Sequence, residues 1–287
     1  MHVLITGCSS GIGLATAVHF AKAGRRVFAA FRNPETAGDL QAAVEKGLPI
    51  TPVRIDVDDD ESVAAGVANV LAQAGHIDVL VNNAGIGGSG PVELCPIERA
   101  KRTFETNYFG AVRMIQAVVP GMRERRSGTI VNITSMAGRI ALASHSHYCA
   151  SKFALEGLSE TLAAEVRPFN IRVALIEPGV VQTPIFTKSK VESWTPTPYE
   201  LTVRRLRHLF RKGLQNPTLP EAVAEAVEHA VTTDRPALRY VVGSDALTLT
   251  DGRRRLADEE WIELQTIADE EQFNERVRAV FGGDLYR

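Results

Sequence analysis

Cysteine is scarce in this chain of 287 residues: only Cys8, Cys95 and Cys149, odd in number and widely spread. That argues against a disulfide framework and fits a reducing compartment. A charge excess of either sign is also missing. Lys and Arg total 32 against 34 Asp and Glu, a formal net charge of −2, so there is no basic footprint for nucleic acid. No apolar run approaches the ~18 residues needed to cross a bilayer. The first residues hold no basic segment leading into a long apolar stretch, so no signal peptide is expected. Internal repeats, low-complexity tracts and convincing linkers are absent as well. What remains is the profile of a cytoplasmic globular protein, 45% hydrophobic and 23% charged. Such a chain can bury a sizeable core without staples.

Alternation is what the chain has in quantity. Short apolar runs at 3–6, 27–31, 51–57, 78–81, 129–133, 171–176 and 238–242 predict strands. Helical patterns over 11–23, 35–46, 61–73, 97–125 and 151–166 lie between them. Strands joined by crossover helices pair in parallel. The expectation is an α/β fold: a doubly wound parallel sheet of about seven strands with helices on both faces, one domain over 1–287. Residues 183–216 break the pattern with Pro184, Pro196 and Pro198 and predict an excursion above the sheet. It separates a core of 1–182 from a last helix, strand and extension over 217–287. There Trp261, Leu264, Ile267, Phe273, Val277 and Val280 recur at helical spacing and predict one terminal amphipathic helix packed on the body.

The first strand runs into Thr6-Gly7-Cys8-Ser9-Ser10-Gly11-Ile12-Gly13. Glycines let backbone turn sharply and approach a pyrophosphate closely. The following helix then points its N–H groups and positive dipole end at the phosphates. The placement between strand and helix carries the signal more than the glycines themselves. This T-G-x-x-x-G-x-G pattern resembles the short-chain dehydrogenase/reductase family, whose fold is Rossmann-type. Asn82-Asn83-Ala84-Gly85, Asn107, Ser135, Tyr148-Cys149-Ala150-Ser151-Lys152 and Pro178-Gly179 with Thr183 resemble further stretches of that family, in the same order. The resemblance covers about residues 1–245.

The resemblance implies a nicotinamide dinucleotide held by Gly7, Ser9, Ser10, Gly11, Ile12 and Gly13, by Asn83, Ala84 and Gly85 after the fourth strand, and by Pro178, Gly179, Val181 and Thr183 in a later loop. Asp56 and Val57 look like the family's adenine-contacting pair, although an Asp at a strand end is also an ordinary turn residue. At the end of strand two a carboxylate favours a free ribose 2′-hydroxyl, and an arginine accommodates a 2′-phosphate. The sequence there reads Phe31-Arg32. A guanidinium can fork onto phosphate oxygens and stack on adenine, so NADP(H) is expected.

A phenol titrates at about 10, too high to exchange protons freely at neutral pH, and a nearby ammonium favours phenolate. Tyr148 and Lys152 are four residues apart, on one face of a helix. Lys152 and the positive charge of the oxidised nicotinamide are together expected to lower the Tyr148 pKa, making Tyr148 the general acid in reduction and the base in oxidation. By resemblance Lys152 also holds the nicotinamide ribose. Ser135 follows strand five, 13 residues before Tyr148 as in the family, and its hydroxyl would stabilise charge on the substrate oxygen. Thr134 is the neighbouring alternative, with its side chain expected on the other face of the strand. Asn107 resembles the family's fourth member, which supports a water relay to Lys152. His145, His147 and Cys149 can also be read as metal ligands, but Cys149 falls inside the helix start and the alternation is lost. No metal is expected. His145 either faces substrate or is an exposed loop histidine.

Leu142, Val180, Ile185, Phe186, Trp194, Tyr199, Leu206 and Phe210 could form an apolar lid over a lipophilic ligand, or simply pack the excursion down. Residues 4–13 and 148–158 look like the hydroxysteroid and retinol dehydrogenase branch of the family. That implies a steroid-like or other bulky lipophilic carbonyl or alcohol. No N-terminal hydrophobic anchor of the kind some retinol-active relatives carry is expected. The helices near 97–125 and 148–167 look like the family's oligomer interface, implying a homodimer or homotetramer. Two other readings stand beside this one: a reductase of small ketones or aldehydes, and an NADP(H)-binding regulatory sensor without turnover. The intact Ser135–Tyr148–Lys152 set argues against a sensor.

Overall fold

The computed structural model describes residues 1–88, 90–185 and 197–283. Seven strands, β1 (His2–Ile5), β2 (Arg26–Phe31), β3 (Ile50–Arg54), β4 (Val79–Asn82), β5 (Gly128–Ile133), β6 (Ile171–Pro178) and β7 (Arg239–Val242), form one parallel sheet in the order β3-β2-β1-β4-β5-β6-β7. The described helices are α1 (Gly11–Lys22), α2 (Gly38–Glu45), α3 (Asp60–Ala74), α4 (Ile97–Phe104), α5 (Gly110–Arg125), α6 (Ser146–Val166), α7 (Glu200–Gly213), α8 (Pro220–Thr232), α9 (Ser244–Arg253), α10 (Asp258–Thr266) and α11 (Glu270–Phe281).

Each central strand feeds two cores. Val3 and Ile5, Val27 and Ala29, Val79 and Val81, Val131 and Ile133 pack into one buried cluster. Their immediate neighbours Leu4, Phe28, Leu80 and Ile130 pack into another. This follows from the two-residue period of a strand, and burial of both faces demands helices on both. α1, α2 and α8 cover the first face through Phe20, Leu40 and Val223. α3, α5 and α6 cover the second through Val67, Met114 and Leu162. Because β1 pairs with β2 on one side and β4 on the other, the strand order reverses there, and a crevice opens beyond the strand ends.

Four differences from the expected elements have physical causes. The helix expected over 97–125 is α4 and α5 joined by a π-helical turn, Glu105–Phe109. Such a turn holds one extra residue, as is frequent at functional sites. α6 begins at Ser146, so Tyr148 and Lys152 both lie inside it. The excursion over 183–216 contains α7. The single terminal helix is broken: Asp269 accepts from the Gln272 N–H at 2.8 Å and caps a fresh helix, α11. α7, α10 and α11 build a third cluster, in which Leu206 and Leu209 meet Trp261, Phe273 and Val277 over Met136 and Ile140. Among the described residues, no helix is long and apolar enough to cross a membrane.

Candidate active site

The carboxyl ends of the central strands border a cleft of about 900 Å³. Its floor is the glycine turn after β1. Gly7 has φ +72° and Gly11 φ +60°, the left-handed region that side chains disfavour. A Cβ on Gly7 would lie 2.8 Å from the Ala84 Cα, and one on Gly13 would lie 2.4 Å from the Gly7 carbonyl oxygen. The turn therefore closes directly on the loop after β4. Thr6, which sequence reasoning passed over, ties the two together: its Oγ1 accepts from the N–H groups of Asn83 and Ala84, each at 3.0 Å. Asn83 Nδ2 returns a bond to the Thr6 carbonyl at 2.8 Å. Gly7, Ser9, Ser10, Gly11 and Ile12 line the cleft, and Gly13 packs beneath them.

The structure brings the other expected cofactor residues to the same cleft. Asn83, Ala84 and Gly85 line it from β4, Asp56 and Val57 from beyond β3, and Pro178, Gly179, Val181 and Thr183 from β6. Arg32 lines it from the end of β2; its side chain is 53% exposed and its Nη1 lies 3.5 Å from Asp58 Oδ2. Asp58 also accepts from Thr106 Oγ1 at 3.0 Å, and burial pushes its carboxyl up. Arg99, Arg102, Thr103 and Thr106 line the cleft as well. Their spacing of three and four residues, which stacks side chains on one helix face, was the signal available for finding them.

Ser135, Tyr148 and Lys152 stand together on this cleft. Ser135 caps a short turn, Met136–Gly138, by accepting from the Ala137 N–H at 3.1 Å. Its hydroxyl also bonds the Tyr148 phenol, which lowers the phenol's pKa, but burial dominates and pushes Tyr148 up to about 12. Contrary to the expected depression, burial here outweighs every lowering influence on the phenol. The ammonium of Lys152 donates instead to the Ile133 carbonyl at 2.9 Å. Burial draws Lys152 itself down to about 8, against the opposing charge of Glu156. Thr134 donates its hydroxyl to the Ile176 carbonyl at 3.0 Å. Asn107 sits in the π turn, 1% exposed. Its side chain is bound to both the N–H and the carbonyl of Ile86, at 2.8 and 3.1 Å, and to Ser151 Oγ at 3.1 Å.

The expected substrate residues part company. His145 is buried, with its ring centre 4.6 Å from that of Tyr148 and 5.2 Å from that of Phe210. It is not an exposed loop histidine, and burial lowers its pKa to about 4, so the ring is neutral at physiological pH. Leu142 and Val180 are buried in the third cluster beside Trp261 and Leu206, because the C-terminal helices cover them. Phe186 and Trp194 lie outside the described residues. Among the described residues, one group has metal-ligand spacing: His2, His76 and Asp78. It lies at the opposite edge of the sheet, where Asp78 accepts from the His2 N–H at 2.7 Å and pairs with His76 at 3.3 Å.

Comparison with known proteins accords with this geometry. The short chain dehydrogenase family pattern matches residues 1–193. Human retinol dehydrogenase 8 is 41% identical over 253 residues, 83% of this chain and 79% of that protein. Human 17-beta-hydroxysteroid dehydrogenase type 1 is 38% identical over 272 residues, 89% of this chain and 81% of that protein. A short-chain dehydrogenase from Streptomyces avermitilis superposes with a TM-score of 0.81 at 37% identity, covering 93% of this chain and 96% of that one. A variant actinorhodin polyketide ketoreductase solved with NADPH gives 0.74 at 31% identity, over 84% and 95%. The chain belongs to the short-chain dehydrogenase family of oxidoreductases, and its likeness falls in the hydroxysteroid and retinol dehydrogenase branch.

Proposed function

We propose that this protein is an NADP(H)-dependent oxidoreductase that interconverts a carbonyl and an alcohol on a bulky lipophilic substrate. The observation that carries the reading is the convergence of the Ser135 hydroxyl, the Tyr148 phenol and the Lys152 ammonium on one cleft. The residues present fit a dinucleotide: the glycine turn, with Gly7, Gly11 and Ile12, lines the cleft together with Arg32, Asn83 and Gly179. When bound, the nicotinamide supplies or accepts the hydride. Ser135 holds the substrate oxygen, and Tyr148 gives that oxygen its proton in reduction and withdraws it in oxidation. A phenol held above its ordinary pKa is a proton donor at rest. Lys152 keeps a positive charge beside it, which stabilises the phenolate left after donation. Asn107 fixes the Ile86 backbone and Ser151 around them.

Arg32 supports the choice of NADP(H), since its half-exposed guanidinium stands at the end of β2 where a 2′-phosphate would lie. The relatives named for steroid and retinol substrates support the lipophilic class. The exposed side chains of Ile97, Phe109 and Phe153, on α4, the π turn and α6, support a homodimer or homotetramer formed through that face. The test is NADPH consumption, followed by its absorbance, across steroidal, long-chain and small ketones. Turnover confined to the bulky apolar members is the expected result. NADPH binding without turnover on any member would instead favour the regulatory sensor.

A further inference from the structure

Behind the catalytic wall lies a buried group of charges that the proton chemistry does not use. Glu177, fully buried on β6, accepts from Arg139 Nη1 at 3.1 Å and pairs with Arg239 Nε at 3.4 Å. Glu156, 4% exposed on α6, accepts from the same Arg239 Nε at 2.9 Å. Glu160 closes the outer rim, 2.7 Å from Arg239 Nη2. One oxygen of each inner carboxylate, Glu156 Oε1 and Glu177 Oε2, is enclosed without a hydrogen-bond partner.

Three of the four inner residues come from pieces that carry the site, and the fourth from the neighbouring strand β7. Arg139 ends the turn that Ser135 caps. Glu156 is one helical turn beyond Lys152 on the same face of α6. Glu177 immediately precedes the Pro178-Gly179 loop, and Arg239 starts β7. The turn and the helix meet without a gap: a Cβ on Gly138 would lie 2.9 Å from Glu156 Cγ and 3.1 Å from the Lys152 carbonyl oxygen. Leaving two buried carboxylate oxygens unpaired is expensive, so stability alone is a poor reason for this arrangement.

We propose that Glu156 is a positioning residue for Lys152: anchored by the Arg139–Glu177–Arg239 box, its carboxylate keeps the Lys152 amine charged and in place. The inference rests on the function proposed above. Around the Lys152 amine lie the Tyr148 ring, its centre 5.8 Å away, and Glu156 one turn on along the same helix, the Ile133 carbonyl of β5 at 2.9 Å, and the neutral Asn107 amide of the π turn across Gly85. Among the described residues, Glu156 is the one anion whose charge acts on it. Glu156 is also the charge that opposes the burial-driven fall of Lys152 to about 8.

The test reads the amine directly. The chain has seven lysines, so side-chain NMR of the lysine-labelled full-length protein can follow Lys152, assigned by its loss in Lys152→Met. In Glu156→Gln the Lys152 midpoint should fall by about one pH unit, and in Glu177→Gln by less. Glu156→Asp should recover part of the shift. The alkaline limb of kcat/KM should move down with the midpoint, with little change in KM for the ketone. Parent-like titration of Lys152 in both neutral variants would overturn the proposal, as would a uniform loss of kcat at an unmoved limb. Absence of turnover in the parent protein would instead overturn the proposed function, since the NMR titration needs no substrate.

Discussion

The imidazole of His145 lies against the phenol ring of Tyr148, their centres 4.6 Å apart and their planes tilted by 32°. A charged ring could not be sealed there cheaply. The folded state holds His145 at about 4, below its ordinary 6.5. As pH falls through 6.5 the unfolded chain takes up a proton that the folded chain refuses, so stability is lost between pH 6.5 and 4 and is insensitive to this group below that window. The full loss is about 3 kcal/mol. Denaturant titrations at a series of pH values should show this slope in the parent and a flatter one in His145→Asn. An unchanged slope in the variant would assign the acid sensitivity elsewhere.

Arg32 sets the cofactor preference in this account. Replacing it with Asp removes a charge-assisted contact and adds a like charge beside the phosphate. Arg32→Asp should weaken NADPH binding about 10- to 100-fold while sparing NADH. Fluorescence titration with both nucleotides checks it. An unchanged NADPH/NADH ratio would remove that role and leave Arg32 as the partner of Asp58 at 3.5 Å.

Gly13 shows how little room the cradle has. A methyl group there meets the Gly7 carbonyl and Asn83 Nδ2, each at 2.4 Å. Gly13→Ala should cost about 1–3 kcal/mol of stability and abolish dinucleotide uptake, because relief of the overlap pushes the turn into the pyrophosphate site. Thermal melts with and without NADPH would show it: a lowered melting temperature and no shift on adding nucleotide. A parent-like nucleotide shift would mean the turn is looser than the geometry indicates.

Local signals made much of this readable in advance. The two-residue period that sends Val3 and Leu4 to opposite cores is written in the strand itself. The Tyr148–Lys152 pair is a four-residue spacing on one helix. What stayed hidden depends on tertiary contacts. The direction of the Tyr148 shift follows from burial, which no spacing reports. The π turn around Asn107 widens a helix by one residue and leaves no mark in hydrophobic periodicity. Leu142 and Val180 were legible as apolar, but their destination was decided by helices that arrive a hundred residues later. Asp269 carried a capping signal, overlooked because the apolar spacing on either side continued past it. Glu156, Glu177, Arg139 and Arg239 lie too far apart in sequence to suggest a common site.

The acid–base assignment of Tyr148 carries the whole account, and Tyr148→Phe tests it with a single oxygen removed. Stopped-flow NADPH oxidation with a bulky apolar ketone, paired with NADPH titration of the same preparation, gives both readouts. The predicted result is a fall in kcat of about 10²- to 10⁴-fold at unchanged NADPH affinity. Near-parent turnover from the variant would contradict the account.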